Sequence, residues 1–158
     1  MKTQPIDFRA WDKHTEKMWK WNQHNAFTTD TGSIKQWFDD SDLFIMQFTN
    51  VLDSKGKKIY QGDICNIKIK VASKVLEYTV VIGWLKNGGF EFICNESDLL
   101  ACDRHIWGFW DMEKDDEITV IGDIFRNWKL VEFTYPEEEN WAKTGELKYN
   151  QDKGGVKP

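Results

Sequence analysis

The chain has 158 residues, 41% hydrophobic, 15% aromatic and 30% charged, and its 21 Lys and Arg against 26 Asp and Glu leave a net charge of −5. That length fits one domain, or a small domain with appendages, and so many large side chains exclude a wholly disordered chain. Three Pro and 11 Gly exclude collagen-like or Pro-rich low complexity, and no apolar run approaches the ~20 residues of a membrane helix.

The N-terminus lacks the apolar stretch of a secretory signal. Cys65, Cys94 and Cys102 form no C-x-x-C pair and read as reduced thiols in a cytoplasm. The modest acidity argues against a protein coated in nucleic acid but leaves room for a local basic face. Nine Trp exceed what this length needs; they read first as core or interface fillers and second as stacking platforms.

In chain order, residues 6–21 predict a β-hairpin. Phe8, Ala10 and Asp12 alternate with Arg9 and Trp11, a polar turn covers 12–15, and Met18 to Trp21 return. Over 22–42, Ser33 could cap a short helix bearing Ile34, Trp37 and Phe38. Asp39, Asp40 and Asp42 would crowd its C-terminal end, which leaves an extended connector as the alternative. Leu43 to Thr49 is a short apolar strand, and 53–57 is a turn. Cys65, Ile67, Ile69 and Val71 alternate with polar residues, and Leu76, Tyr78, Val80, Ile82 and Trp84 repeat the pattern. Asn87-Gly88 signals a hairpin, and Phe90, Phe92 and Cys94 return, so 64–94 predicts a three-stranded meander. Residues 95–117 leave the sheet: Ile106 to Trp110 would cover a barrel mouth or an interface, and 111–117 form a solvated acidic loop. Ile118 to Phe125 predicts a final strand, bulged or bent at Gly122. After Tyr135 the pattern fades into a polar tail.

The tripeptide Gly-Asp-Ile occurs at 62–64 and at 122–124, too short for a repeat but suited to two equivalent strand entries. Short strands with tight turns predict a mainly β fold, a small SH3-like barrel over 43–135. The hairpin and connector of 1–42 would extend it, with short helical or irregular insertions and a flexible tail over 136–158.

Chemistry-bearing clusters are sparse. Cys94, Cys102 and His105 could approach a zinc ion with Asp103 or Cys65 as fourth ligand, but C-x7-C-x2-H lacks paired ligands; core thiols and a surface His are the plainer reading. A Cys102–His105 nucleophile pair has no evident oxyanion donor. The acidic loop has Asp116 where a calcium loop needs its Gly. No phosphate-binding Gly-rich loop, HExxH or GxSxG occurs. Lys55, Lys57, Lys58, Lys68, Lys70 and Lys74, with Tyr60 between the clusters and only Asp63 opposed, would suit a phosphate-tracking groove with a stacking platform. Equally, lysines protect an edge strand from unwanted pairing.

Phe8-Arg9-Ala10-Trp11-Asp12 followed by Met18, Met46-Gln47-Phe48-Thr49, Gly56 through Ile64, and Val120 through Phe125 together resemble the YopX family of phage and prophage proteins. The family usually has Thr-Gly-Leu where this chain has Thr49-Asn50-Val51. The resemblance implies a mainly β protein with an SH3-like barrel, of phage or prophage origin, in the bacterial host cytoplasm. It implies no reaction and transfers no catalytic residue. Within these motifs the residues read as structural. Gly56 suits a positive-φ turn, Gly62 a bend and Gly122 a strand entry, while Asp53 and Asp63 accept local amides. Arg9 pairs with Asp12 or Asp63 to hold the hairpin, with its Trp11, to the barrel. The alternative is that these residues line a small-ligand site.

The expectation is therefore a non-enzymatic binding or adaptor module without cofactor, metal or membrane. It would associate with itself or with a phage or host protein through Trp107, Phe109 and Trp110, aromatics beyond what a small barrel hides. A nucleic-acid binder using the lysine face is the second reading, and a small metal-dependent hydrolase the third.

Overall fold

Asp12 ends the first strand by building its own turn. Its Oδ1 accepts the N–H groups of His14 (2.9 Å) and Thr15 (3.1 Å), and its Oδ2 accepts the Thr15 hydroxyl at 2.6 Å. These bonds, the Thr15 hydroxyl foremost, hold the Asp12 carboxyl below its usual pKa. In the computed structural model, which describes residues 7–20, 42–84, 89–93 and 108–131, the turn joins β1 (Phe8–Asp12) to β2 (Lys17–Lys20). The reading of 22–42 (but for Asp42), the Asn87-Gly88 turn, the Cys94, Cys102 and His105 cluster, Trp107 and the tail all lie outside the described residues.

The remaining elements are β3 (Leu43–Leu52), β4 (Lys58–Tyr60), β5 (Asp63–Val71), β6 (Lys74–Trp84), β7 (Phe90–Ile93), β8 (Glu117–Asp123) and a one-turn helix α1 (Ile124–Asn127). They form two antiparallel four-stranded sheets in the orders β2-β1-β3-β4 and β7-β6-β5-β8, so the fold is mainly β. No helix among the described residues is long and apolar enough to cross a membrane.

Several expectations change in this arrangement. The N-terminal hairpin joins the first sheet, where β1 pairs along β3, Phe8 opposite Gln47 through Asp12 opposite Leu43. The meander of β5, β6 and β7 is present, but β5 is no edge strand from Asp63 to Lys68, where β8 pairs on its other side. The last strand stops at Asp123 rather than Phe125, because Asp123 Oδ1 accepts the N–H groups of Phe125 (3.2 Å) and Arg126 (3.0 Å) and starts α1 there. The acidic loop is ordered, not merely solvated. Asp111 accepts from Gly108 N–H, and Asp116 accepts from the N–H groups of Glu113 and Lys70.

The main core lies under alternate residues of the second sheet. Cys65, Ile67, Ile69, Val80, Ile82, Phe92 and Ile118 pack there with Ile59 of β4 and Val51 of β3, so both sheets contribute. On the opposite face Ile64, Val81, Ile124 and Val131 form a second cluster. The strict alternation therefore fails at Val80, Val81 and Ile82, all fully buried, because α1 and the turn after it cover that end of the sheet.

Two glycines sit at tight places, Gly62 where the chain passes from β4 to β5 and Gly122 within β8. Gly62 has φ +78°, its N–H donates to Ile82 O at 2.8 Å, and its carbonyl accepts from Ile124 N–H at 3.0 Å. At Gly122 the constraint is contact, since a Cβ would come within 2.7 Å of Asn127 Oδ1. The register of β8 on β5 shifts beside it, leaving Ile121 as a bulge. Asn50 also sits in the left-handed region, at φ 65°, where Asn is tolerated. The Thr49 hydroxyl steadies this irregular stretch of β3 by donating to Ile59 O at 2.8 Å.

Asp53 is the hub of the β3–β4 turn. Its Oδ1 accepts the N–H groups of Lys55 (2.9 Å) and Lys57 (2.8 Å), and its Oδ2 accepts Val120 N–H of β8 at 3.1 Å. Burial raises its pKa, but these donors outweigh burial and the net shift is downward. Asp53→Asn puts an amide N–H against Val120 N–H, and an expected 1–3 kcal/mol of stability is lost at neutral pH (about the worth of a charged hydrogen bond). A depressed carboxylate stabilises above its unfolded pKa and loses that contribution as pH falls through its folded pKa. Denaturant titrations of both proteins are therefore expected to converge in acid.

Candidate functional site

Arg9 projects from β1 and Asp63 opens β5; both are buried, at 8% and 1% exposure. Arg9 Nη2 donates to Asp63 Oδ1 at 2.7 Å, and Asp63 Oδ2 accepts Tyr60 N–H at 2.8 Å. Of the two acids open to Arg9, Asp63 is the partner, and Asp12 is occupied by its own turn. The guanidinium lies 4.7 Å over the Tyr60 ring, while its Nε has no hydrogen-bond partner among the described residues. Burial pushes the Asp63 carboxyl up; the Arg9 charge and the Tyr60 amide oppose that without cancelling it.

Beside this pair stands a second one. Asp63 lies opposite Asp123 in the β5–β8 register, so the two Gly-Asp-Ile segments run side by side. Asp123 Oδ2 accepts Arg126 Nε–H at 2.8 Å and Nη2–H at 2.6 Å, a bidentate contact that follows directly from the α1 cap. Asn127 Oδ1 accepts Asp123 N–H at 3.3 Å. Both pairs line a cleft of about 350 Å³, together with Lys57, Asn127 and the β8 bulge, Val120 to Gly122.

The sequence-derived candidates scatter around this cleft. Lys57, Arg9, Asp63 and Gly122 enter it. Lys55 and Lys58 flank it in sequence, and Lys58 pairs with Asp7. Tyr60 is no free stacking platform: Arg9 covers its ring, Phe48 packs against it at 5.6 Å, and its hydroxyl donates to Asp7 at 2.9 Å. Burial, then that bond, raises its pKa. Lys68 and Lys70 are exposed on the outer face of β5, and Lys74 begins β6. Lys68 sits between Glu77 of β6 and Glu117 of β8 in register, whereas Lys70 lies opposite Val75. Gly56 holds its turn at φ +79°, and Trp11 stacks on Phe125 at 5.5 Å. Phe109 packs edge-on against Phe92 at 5.0 Å, leaving Trp110 as the exposed member of its trio among the described residues, at 60%.

Cys65 is fully buried, and burial, then the Asp63 charge, pushes its thiol pKa up, so it is an unreactive core side chain. Among the described residues no group of three or more His, Cys, Asp or Glu side chains is placed to hold a metal ion. Sequence reasoning missed Arg126 and Asn127, although the echo of Gly-Asp-Ile was the signal that pointed to their neighbourhood.

A family model described as YopX protein matches residues 7–132. No curated protein matches the chain. Among solved structures, the chain is similar to the crystal structure of protein EF1440 from Enterococcus faecalis, at 22% identity and a TM-score of 0.47, over 82% of this chain and 100% of that one.

Two expected outcomes follow from the charge placement. Arg9→Met strands a buried carboxylate and lowers stability by about 3–5 kcal/mol at neutral pH. Because Asp63 then titrates at a raised folded pKa, the deficit shrinks as pH falls through that value, which urea titrations from neutral pH to acid would register. Lys68→Glu aligns three like charges across β6, β5 and β8 and lowers the thermal midpoint, equivalent to roughly 0.5–1 kcal/mol. An unchanged midpoint would mean the lysine does not feel its acidic neighbours.

Proposed function

Because this chain belongs to the YopX family, we propose that it is a phage or prophage protein acting in the bacterial host cytoplasm. In this reading it is a non-enzymatic binding or adaptor module that associates with a second copy of itself. The scaffold is an SH3-like barrel closed around Ile59, which is fully buried among residues of both sheets.

The observation that supports binding is surplus indole surface. Trp110 is 60% exposed, Trp19 43% and Trp84 40%. Trp84 ends β6 and meets Phe90 of β7 edge-on at 4.8 Å, and β7 is the outer strand of its sheet. Exposed indoles of this kind are surface that two copies can share about a two-fold axis. Burying the exposed part of one indole, on the order of 100 Å², contributes about 2–3 kcal/mol.

Sedimentation velocity across micromolar concentrations is expected to show reversible dimerisation. Trp110→Ser combined with Trp84→Ser should shift the protein to monomer with unchanged far-UV circular dichroism. A wild-type protein that stays strictly monomeric at the highest concentration ends the self-association reading.

A further inference from the structure

We propose that the cleft between the two Gly-Asp-Ile segments binds a small oxyanion, a carboxylate or a phosphate ester, held by Lys57 and Arg126. This inference is independent of self-association, which concerns other surfaces.

The cleft offers donors and hardly any free acceptors. Three cationic side chains, Arg9, Lys57 and Arg126, face two carboxylates, Asp63 and Asp123. Both acids are already engaged. Asp63 accepts Arg9 Nη2–H and Tyr60 N–H, and Asp123 accepts Arg126 Nε–H and Nη2–H together with the N–H groups of Phe125 and Arg126. A metal cation would have to displace these donors; an anion displaces none of them.

The donors, by contrast, are not exhausted. The Lys57 ammonium makes no ion pair among the described residues. Arg126 is 56% exposed at its side chain and spends Nε and Nη2 on Asp123, which leaves its Nη1 group for a ligand. Asn127 uses its Oδ1 on Asp123 N–H, and its side-chain NH₂ is a further donor at the rim. Arg9, nine-tenths buried, also lines the cleft; it makes a single-toothed contact to Asp63 and keeps an Nε with no partner among the described residues.

The shape limits the ligand. A volume of about 350 Å³ is at the lower end of small-molecule sites and suits a compact metabolite rather than a polymer. Val120 and the bulged Ile121 supply an apolar wall for a short carbon skeleton.

The test is an amide NMR titration of the full chain with inorganic phosphate and, separately, with succinate, each at constant ionic strength held by sodium chloride. Saturable shifts are expected at the amides of Gly122, Asp123 and Asn127, with affinity in the millimolar range, and Lys57→Gln should weaken it about tenfold. Arg126→Gln should do the same; because Arg126 also braces α1, the exposed Lys57 carries the test if that variant unfolds. Saturation by phosphate alone or by succinate alone identifies the anion class, and either supports the site. No saturable shift with either anion, or saturation unaltered in the Lys57→Gln protein, overturns it.

Discussion

Among the described residues the two sheets share no strand ladder, and beside the apolar core to which both contribute, buried aspartates pin their junction by accepting backbone and side-chain donors. Asp53 ties the β3–β4 turn to β8, Asp63 ties the start of β5 to β4 and to Arg9 of β1, and Asp123 converts β8 into α1. A carboxylate taken out of water is costly unless donors replace the lost hydration, and each of these has two or more. These directional bonds add to the apolar contact and specify one arrangement more narrowly than that contact does alone.

That choice of glue shapes the rest of the molecule. The apolar side chains divide into a main core that both sheets share and a smaller cluster under α1, while Arg9, Asp63 and Asp123 make one stretch of the junction polar. A polar seam does not close as tightly as a packed core, and the cleft opens along it. Aromatics that the cores cannot hold are placed elsewhere. Trp11 and Phe44 close on Phe125 to latch the first sheet onto the second, and Trp84 and Trp110 remain outside.

Much of the strand content was legible because alternation writes itself into a half-buried strand: Cys65, Ile67 and Ile69 against Asn66, Lys68 and Lys70 need no neighbour to be recognised. The turns at Asp12 and Asp53 were legible for a similar reason, since a short acid beside exposed amides bonds locally. Illegible were the features made by distant partners. Nothing in the lysine spacing discloses that Glu77 and Glu117 flank Lys68, because pairing partners lie far along the chain. Nor could Tyr60 be seen to lose its face to Arg9, a residue of another strand.

The chain on its own determined a mainly β protein, its strand periods, its turn chemistry and its membership of the YopX family. Those are local or linear properties, and a linear text carries them. Only the tertiary structure decided that the N-terminal hairpin is integral to a sheet, that Arg9 meets Asp63, and that the two Gly-Asp-Ile segments lie side by side to frame one cleft. Each of these depends on closing long loops against chain entropy, and which closures win is settled by the sum of contacts across the whole fold.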